Sequence, residues 1–588
     1  METAAIIKNP TEHSKKLSRT HPSKKITLVV CLTMTIIPIA SLLMLAFDGH
    51  ERNHRTSTTH QPAASTLHPL IKTACSRSLY PSLCFTSVAA LASKNTSSLH
   101  HVIELAIHHV AKLVTTSQLT ATRFFTPQEL NRREKNALND CMEMLDQTLY
   151  ELQLAIDDLH TFPEPVGRSY SNLKTLLSAA MTNENTCVGG FSDLEEANTE
   201  SNNEKEGLGV YLEIQMTPIS RMISHCLAIL KYLENSNLQE MRYEKGALRG
   251  SRNLHPSWMT PRERKMMDIR ARLRPDIVVA SDGSGDCKTI GEAVKMAPNM
   301  RVKRFVIKIK AGVYAEKVEI PRNKVNIMLV GDGMGSTVIT GSRCFDDGFS
   351  TFESATLTIV GDRFLARDLA IVNTAGPDKH QAVAARVTAN SAFYRCNFSS
   401  YQDTLYAHSL RQFYRDCTIQ GTVDFIFGNA AAILQNCLVH VRKPRYGQSN
   451  VVTAQGREDP NQNTGIAMHN CTVKAASDFA ASDQRFSSTY LGRPWRNHSR
   501  TVIMKSYLGD LINPQGWRRW DEYSNLDTVE YIEYMNFGPG SDTRGRVHWG
   551  GYKKNCSEAK AKQFTERALL RGYGDWLEST GFPLFHDP

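Results

Sequence analysis

No Gly-x-Ser-x-Gly elbow occurs in the 588 residues of this chain. That absence excludes the hydrolases that raise a serine nucleophile on such a turn. No His/Cys/Asp/Glu cluster has metal-ligand spacing either, so no metal site is expected. No nucleic-acid-binding motif and no long Lys/Arg block is present, so the formal net charge of +10 does not point to nucleic acid. An anionic membrane or an acidic polysaccharide remains as a partner for a basic surface. β-type runs are scarce before Glu234, and helical periodicity is largely absent after Asp268. The chain therefore divides into an all-α part and an all-β part.

What is present begins with an uncharged run from Ile26 to Phe47, about 33 Å long as a helix and enough to cross a bilayer. Lys15, Lys16, Arg19, Lys24 and Lys25 precede it. This bias places residues 1–25 in the cytosol and the rest in the lumen, with 26–47 as a signal anchor and a long cleaved signal as the alternative. The 13 cysteines fit an oxidising compartment. Asn95, Asn397, Asn470, Asn497 and Asn555 each open an N-x-S/T glycosylation sequon. A polar segment rich in Ser, Thr, His and Pro, residues 48–66, reads as a stalk.

Residues 67–235 carry helical periodicity. Leu138, Cys141, Met142, Leu145, Leu149, Leu152, Ile156 and Leu159 recur at spacings of three and four and predict one apolar helix face. Several such helices predict an antiparallel bundle. Cys75, Cys84, Cys141 and Cys187 suggest two disulfides, whose connectivity spacing leaves open. Residues 236–267 read as a linker containing Gly246, Gly250, Pro256, Pro261 and the basic run Arg262–Lys265. A dibasic pair in such a linker is a plausible processing site.

From residue 268 to 588, short β-runs broken by glycine predict an all-β domain. Arg395-Cys396-Asn397, Asp416-Cys417-Thr418 and Asn436-Cys437-Leu438 place cysteines 21 and 20 residues apart, and Asn470-Cys471-Thr472 repeats the pattern. A repeat near 20 residues fits one coil of a parallel β-helix. Gln381 and Gln402 are 21 residues apart, as are Asp403 and Asp424. Stacked strands lie about 4.8 Å apart, so the two aspartates are expected on neighbouring coils, with the glutamines stacked beside them. Repulsion between close carboxyls keeps one protonated, which supplies an acid and a nucleophile together. Amides beside them can donate to a developing oxyanion. The set suits acyl transfer on an ester.

Five separated segments then carry a family resemblance: Gly312-Val313-Tyr314-Ala315-Glu316, Gln381-Ala382-Val383-Ala384, Gln402-Asp403-Thr404-Leu405, Asp424-Phe425-Ile426-Phe427-Gly428-Asn429 and Leu491-Gly492-Arg493-Pro494-Trp495. From about Ile277 to Tyr552 the chain resembles plant pectin methylesterases. The cysteines of the helical part, in CSRSLYPSLC, LNDCMEML and NENTCVGGF, resemble the plant invertase and pectin methylesterase inhibitor family. Ala385 stands where the esterases usually have leucine and Cys287 where an aromatic is common; the tail after Tyr552 departs from their pattern.

The resemblance implies a right-handed parallel β-helix preceded by a four-helix inhibitor-like bundle. It implies hydrolysis of C6 methyl esters of homogalacturonan, with release of methanol and no cofactor. Asp424 looks like the nucleophile and Asp403 like the proton donor. Gln381 and Gln402 are placed like the transition-state stabilisers, and Arg493 like the partner of the nucleophile. Thr351, Tyr406, Phe427 and Trp495, with Gln381 and Arg493, resemble pectin-binding residues. Disulfides are implied at Cys75–Cys84, Cys141–Cys187 and Cys417–Cys437, leaving Cys226 over. The implied partners are pectin, separate inhibitor proteins of the same family, and a subtilisin-like protease acting on the linker, where Met266 and Met267 replace the leucines of its basic-basic-Leu-Leu site. The implied route is the Golgi membrane, then the cell wall. A Ca²⁺-dependent polysaccharide lyase on a similar β-helix and a non-enzymatic pectin-gripping module are the competing readings; the lack of a cluster of acidic Ca²⁺ ligands disfavours the first and the intact aspartate pair the second.

Overall fold

The computed structural model describes residues 63–92, 96, 98–124, 130–161, 167–197, 207–244, 274–571, 580, 582 and 583. The apolar run 26–47, most of the stalk, Asn95 and the basic run 262–267 lie outside the described residues. No helix among the described residues is long and apolar enough to cross a membrane. Residues 62–197 and 212–588 form one compact unit, which holds both the helical and the β parts; of the other unit, only the helical turn Gly207–Tyr211 is described.

Among the described residues, six helices make the amino-terminal part: α1 (Ala63–Cys75), α2 (Pro81–Leu91), α3 (Leu99–Phe124), α4 (Arg132–Thr161), α5 (Gly167–Ala197) and α6 (Gly207–Glu244). Cys75–Cys84 ties the end of α1 to α2, and Cys141–Cys187 clamps α4 to α5. Cys226 is a buried thiol. Helix α6 continues to Glu244, past the predicted bundle boundary at residue 235. The buried face of α4 is also rotated from the predicted one. Ala137, Cys141, Met144, Leu145, Leu152, Ala155, Ile156 and Leu159 are buried, whereas Leu138, Met142 and Leu149 are only partly covered. The rotation brings Asp140, Gln147, Thr148 and Glu151 inside. The apolar pattern missed this because polar residues share the covered face.

From Ile277 onward every strand pairing is parallel. One sheet of seven strands runs from Val318–Ile320 through Leu357–Ile359, Ala385–Val387, Leu405–Ala407, Ile426–Gly428 and Asn450–Gln455 to Thr489–Pro494. The remaining 17 strands form the other walls of the coil stack. Register keeps like beside like: Ile307 pairs with Leu329, Leu405 with Ile426, and the Phe393 and Tyr414 rings stack at 5.0 Å. Each fully buried aliphatic or aromatic rung contributes about 1.5–3 kcal/mol.

The corners explain the polar residue that precedes each inward cysteine. Arg395, Asp416, Asn436 and Asn470 have φ of 49°, 51°, 56° and 53°. Asn and Asp tolerate this left-handed conformation better than most side-chain-bearing residues. The turn swings the chain so that the following cysteine faces the interior. Glu316, which ends the first motif, accepts the Ile290 and Gly291 amides at 2.8 and 3.0 Å. It thereby holds the start of helix α7 (Ile290–Met296) at the end of the stack, a structural task rather than a chemical one.

The expected Cys417–Cys437 disulfide is absent: both residues are buried thiols. Thr418 pairs with Leu438, so the two cysteines lie level on adjacent coils with their side chains running parallel. Cys417 Sγ donates to Arg415 O at 3.3 Å and Cys437 Sγ to Tyr414 O at 3.4 Å. Cys396 and Cys471, also free, extend the same interior ladder on either side.

Among the sequon asparagines, Asn470, Asn497 and Asn555 are exposed. Asn397 is partly covered, and its Oδ1 accepts from Gln420 Nε2 at 3.2 Å. The carboxy-terminal tail folds back on the outer face of the coils. Phe564, Leu569, Leu570 and Phe582 pack with Phe413 and Ile433, and Phe582 stacks on Tyr394 at 5.2 Å.

Candidate active site

The seven-stranded sheet assembles the sequence-predicted residues. Gln381 and Gln402 form an isolated parallel bridge, and the Ala382 amide donates to Gln402 O at 3.2 Å. Leu405 pairs with Ile426, and the Asp403 amide donates to Val423 O at 3.0 Å, so Asp403 and Asp424 occupy equivalent corners one coil apart. Both adopt positive φ, 65° and 50°, and are 7% and 4% exposed. Aspartate suits this site twice over: it tolerates the corner, and it supplies the carboxylate.

Arg493 reaches Asp424 from the strand Thr489–Pro494. Its Nε donates to Oδ1 at 2.8 Å and Oδ2 at 3.1 Å, and its Nη2 also donates to Oδ2. Burial lowers the Arg493 pKa, but the Asp424 and Asp403 carboxylates outweigh it, and the net shift is upward. The pair is a bidentate, charge-assisted clamp that fixes the orientation of one carboxylate.

Aromatic rings line the approach. Tyr406 stacks on Phe427 at 4.2 Å, and Trp495 tilts toward them at 6.4 and 6.0 Å. Gly456 makes room, since a Cβ there would meet Trp495 Cε3 at 2.9 Å. Gly428 is required as well: its φ is 121°, and a Cβ would lie 2.1 Å from Ala407 O. Thr351 is half-buried on the turn before Phe352, and its carbonyl accepts from Ser354 Oγ at 2.8 Å.

Some residues here carried no sequence signal. Trp520 lies under the Arg493 guanidinium at 4.0 Å and backs it from a loop outside every motif. Arg386 stacks on Phe352 at 3.2 Å, beside His408. Burial, reinforced by Arg386, pushes the His408 pKa down to about 3, so this imidazole is neutral.

The bundle is docked beside this site. Thr186 of α5 hydrogen-bonds His408 Nε2 at 2.9 Å, and Asn429 Nδ2 donates to Thr182 at 2.9 Å. Asn429 closes the Asp424–Asn429 motif and also accepts from Gln455 and Thr464. From α4, Glu143 receives both Arg386 Nη atoms at 3.2 and 3.1 Å, Asp140 receives Ser350 Oγ, and Asp146 pairs with Arg322 at 2.5 Å. Burial drives Asp140 up to about 7 against the opposing Ser350 bond. Farther along, Ser224 of α6 donates to Asp459 at 2.5 Å.

Comparison with known proteins gives the family. Residues 276–573 match the pectinesterase family, which extends the likeness past Tyr552 into the tail. Residues 69–229 match the plant invertase/pectin methylesterase inhibitor family. Pectinesterase 2 of Arabidopsis thaliana is 45% identical over 88% of this chain and 90% of its own length. Pectinesterase/pectinesterase inhibitor U1 of Solanum lycopersicum is 42% identical over 97% of this chain and 98% of its own. Among solved structures, a pectin methylesterase from carrot is 53% identical with a TM-score of 0.53, covering 54% of this chain and 99% of its own. The chain belongs to the pectinesterase family, and an inhibitor-family bundle precedes its β-helix.

Proposed function

We propose that Asp424 attacks the C6 methyl-ester carbonyl of homogalacturonan, and that the protein is a pectin methylesterase of the plant cell wall. The observation that carries this reading is the Asp424–Arg493 clamp at the foot of the Tyr406, Phe427 and Trp495 wall. Gln381 and Gln402 amides donate to the oxyanion of the tetrahedral intermediate. Asp403 gives its proton to departing methanol. It then takes one from the water that opens the acyl-enzyme, which regenerates Asp424 and leaves a galacturonate carboxylate. The aromatic wall supplies flat apolar faces for sugar rings.

The docked bundle is read as a restraint on this site in the uncut chain. Its α5 contacts flank Tyr406 and Phe427 through His408 and Asn429, which supports occlusion of the pectin path. Residues 26–47 anchor the chain in the Golgi membrane, a subtilisin-like protease cuts at Arg262–Lys265, and the β-helix part is secreted to the wall.

The test is methanol released from highly methylated pectin by residues 268–588, by the uncut chain, and by each carrying Asp424→Ala. Release by the fragment that disappears with the substitution supports the mechanism. A folded fragment that releases none defeats it and leaves a pectin-binding module. Equal release by cut and uncut forms defeats the restraint.

A further inference from the structure

A second, strongly basic cavity of about 450 Å³ lies where the bundle, the loop after Asn450–Gln455 and the carboxy-terminal tail meet. It faces seven cations: Lys174 and Lys231 from the bundle, Arg457 and Arg500 from the β-helix, and Lys562, Arg567 and Arg571 from the tail. Three carboxylates offset them in part. Glu234 pairs with Lys174 at 2.7 Å and Lys231 at 3.2 Å, Glu530 lies 3.5 Å from Arg500 and 4.0 Å from Arg457, and Glu558 pairs with Lys562 at 2.5 Å. Arg567 and Arg571 have no side-chain ion pair among the described residues and are exposed at the mouth.

The enclosed cations repel one another. Burial lowers the Lys174 pKa, and Lys231 and Arg500 add to the fall despite Glu234. Burial, then Arg500, pushes Arg457 down to about 9. An anion placed among them relieves that repulsion without displacing an existing partner from Arg567 or Arg571. The cavity holds about fifteen waters' worth of space at roughly 30 Å³ each, far more than one small oxyanion fills. Asn461 and Thr565 add neutral polar groups to its wall, the kind that sugar hydroxyls bond.

We propose that this cavity binds a short de-esterified galacturonan segment, a multi-carboxylate sugar, and that the bound segment fastens the bundle to the β-helix. The identity of the sugar rests on the esterase reading above, because that reaction turns neutral esters into such carboxylates. The cavity exists only while the bundle is docked, since Lys174 and Lys231 come from the bundle. By mass action its ligand therefore stabilises the docked form. Product at this site holds uncut chains silent where pectin is already de-esterified.

The experiment is calorimetric titration of trigalacturonate into the full chain, a Trp495→Ala variant and an Arg567→Ala/Arg571→Ala double variant, with inorganic tripolyphosphate as a second titrant. The expected result is one binding event that survives Trp495→Ala, weakens with salt, and falls about tenfold or more in the double variant. Equal affinity in the double variant and the wild type overturns the site. Tripolyphosphate binding tighter than trigalacturonate overturns the sugar assignment. Methanol release by the double variant stays unchanged after the linker is cut, so failure of esterase activity and failure of this site read out separately.

Discussion

The two halves of the compact unit differ in how they hold a buried glutamate. The β-helix leaves some buried polar atoms unbonded, both side-chain atoms of Asn450 among them, but it pairs the Glu533 carboxylate. Arg546 and Glu533, each 2% exposed, meet at 2.8 Å, and Trp517 and Tyr552 bond the same carboxylate. In the bundle, carboxyls lie inside with little to hold them. Both Glu184 oxygens are buried without a hydrogen-bond partner, and burial raises its pKa well above the ordinary value. Glu151 is driven up to about 8 by burial, against bonds from Gln147 and Asn183. The contrast teaches that an ion-paired buried carboxylate such as Glu533 can stay charged inside the protein, whereas an unpartnered one such as Glu184 costs stability when it ionises.

The largest expected effect falls on the site itself. Asp424→Asn should cut methanol release by on the order of 10³-fold or more while the fold survives, as judged by circular dichroism. It strips the Arg493 clamp of its charge and leaves the bundle untouched.

Next come the disulfides, which separate the two halves by stability. Cys141–Cys187 closes a loop of 46 residues. Replacing both cysteines by serine should cost the bundle about 4 kcal/mol on the chain-entropy account. Thermal unfolding should then split, with the helical signal melting well before the β signal. A single shared transition would show that the two halves stabilise each other more than the contrast allows.

The interface comes third. Glu143→Lys sets a cation against the buried Arg386 and should loosen the bundle. Methanol release by the uncut chain should rise roughly tenfold, with the cut form unchanged.

A pH effect of similar sign follows from Asp140. Its pKa rises from 3.8 when free to about 7 when docked against Ser350. The docked form therefore binds the extra proton. The stabilisation is complete below about pH 4 and is lost as pH climbs to about 7. Uncut chain should be better restrained at pH 5 than at pH 7.5, and Asp140→Asn should flatten that difference. A pH profile that keeps its slope in the variant would shift the effect to another group.

The smallest effect tests the bundle's interior. Glu184→Gln removes a carboxyl that must ionise unaided when pH rises. Bundle stability at pH 8 should increase by about 1 kcal/mol, measured by urea unfolding, with no change at pH 4.

The candidate constellation was legible because a β-helix converts sequence spacing into spatial stacking. An interval of 21 residues becomes one step up the stack, so Gln381 over Gln402 and Asp403 beside Asp424 follow from counting. The aromatic wall of Tyr406, Phe427 and Trp495 came from the family resemblance rather than from spacing. The Cys417–Cys437 pairing did not survive, because the register that brings two cysteines level also sets their side chains parallel, within a ladder of four thiols. The α4 face was misread because apolar periodicity cannot see polar residues that are buried by a partner.

By itself, then, the chain determined its division into a helical and a coiled β part, the repeat, the aspartate pair and the motifs around it. These depend on local propensity and on intervals along one strand of sequence. Tertiary structure alone decided that Trp520 backs Arg493, that α4 and α5 dock beside the site through Asp140, Glu143, Thr182 and Thr186, and that seven cations from three distant segments share one cavity. Those neighbours are hundreds of residues apart in places, and no periodicity records them. They meet because burying apolar surface brings whole elements together, and the polar groups at the seams are left to find partners there.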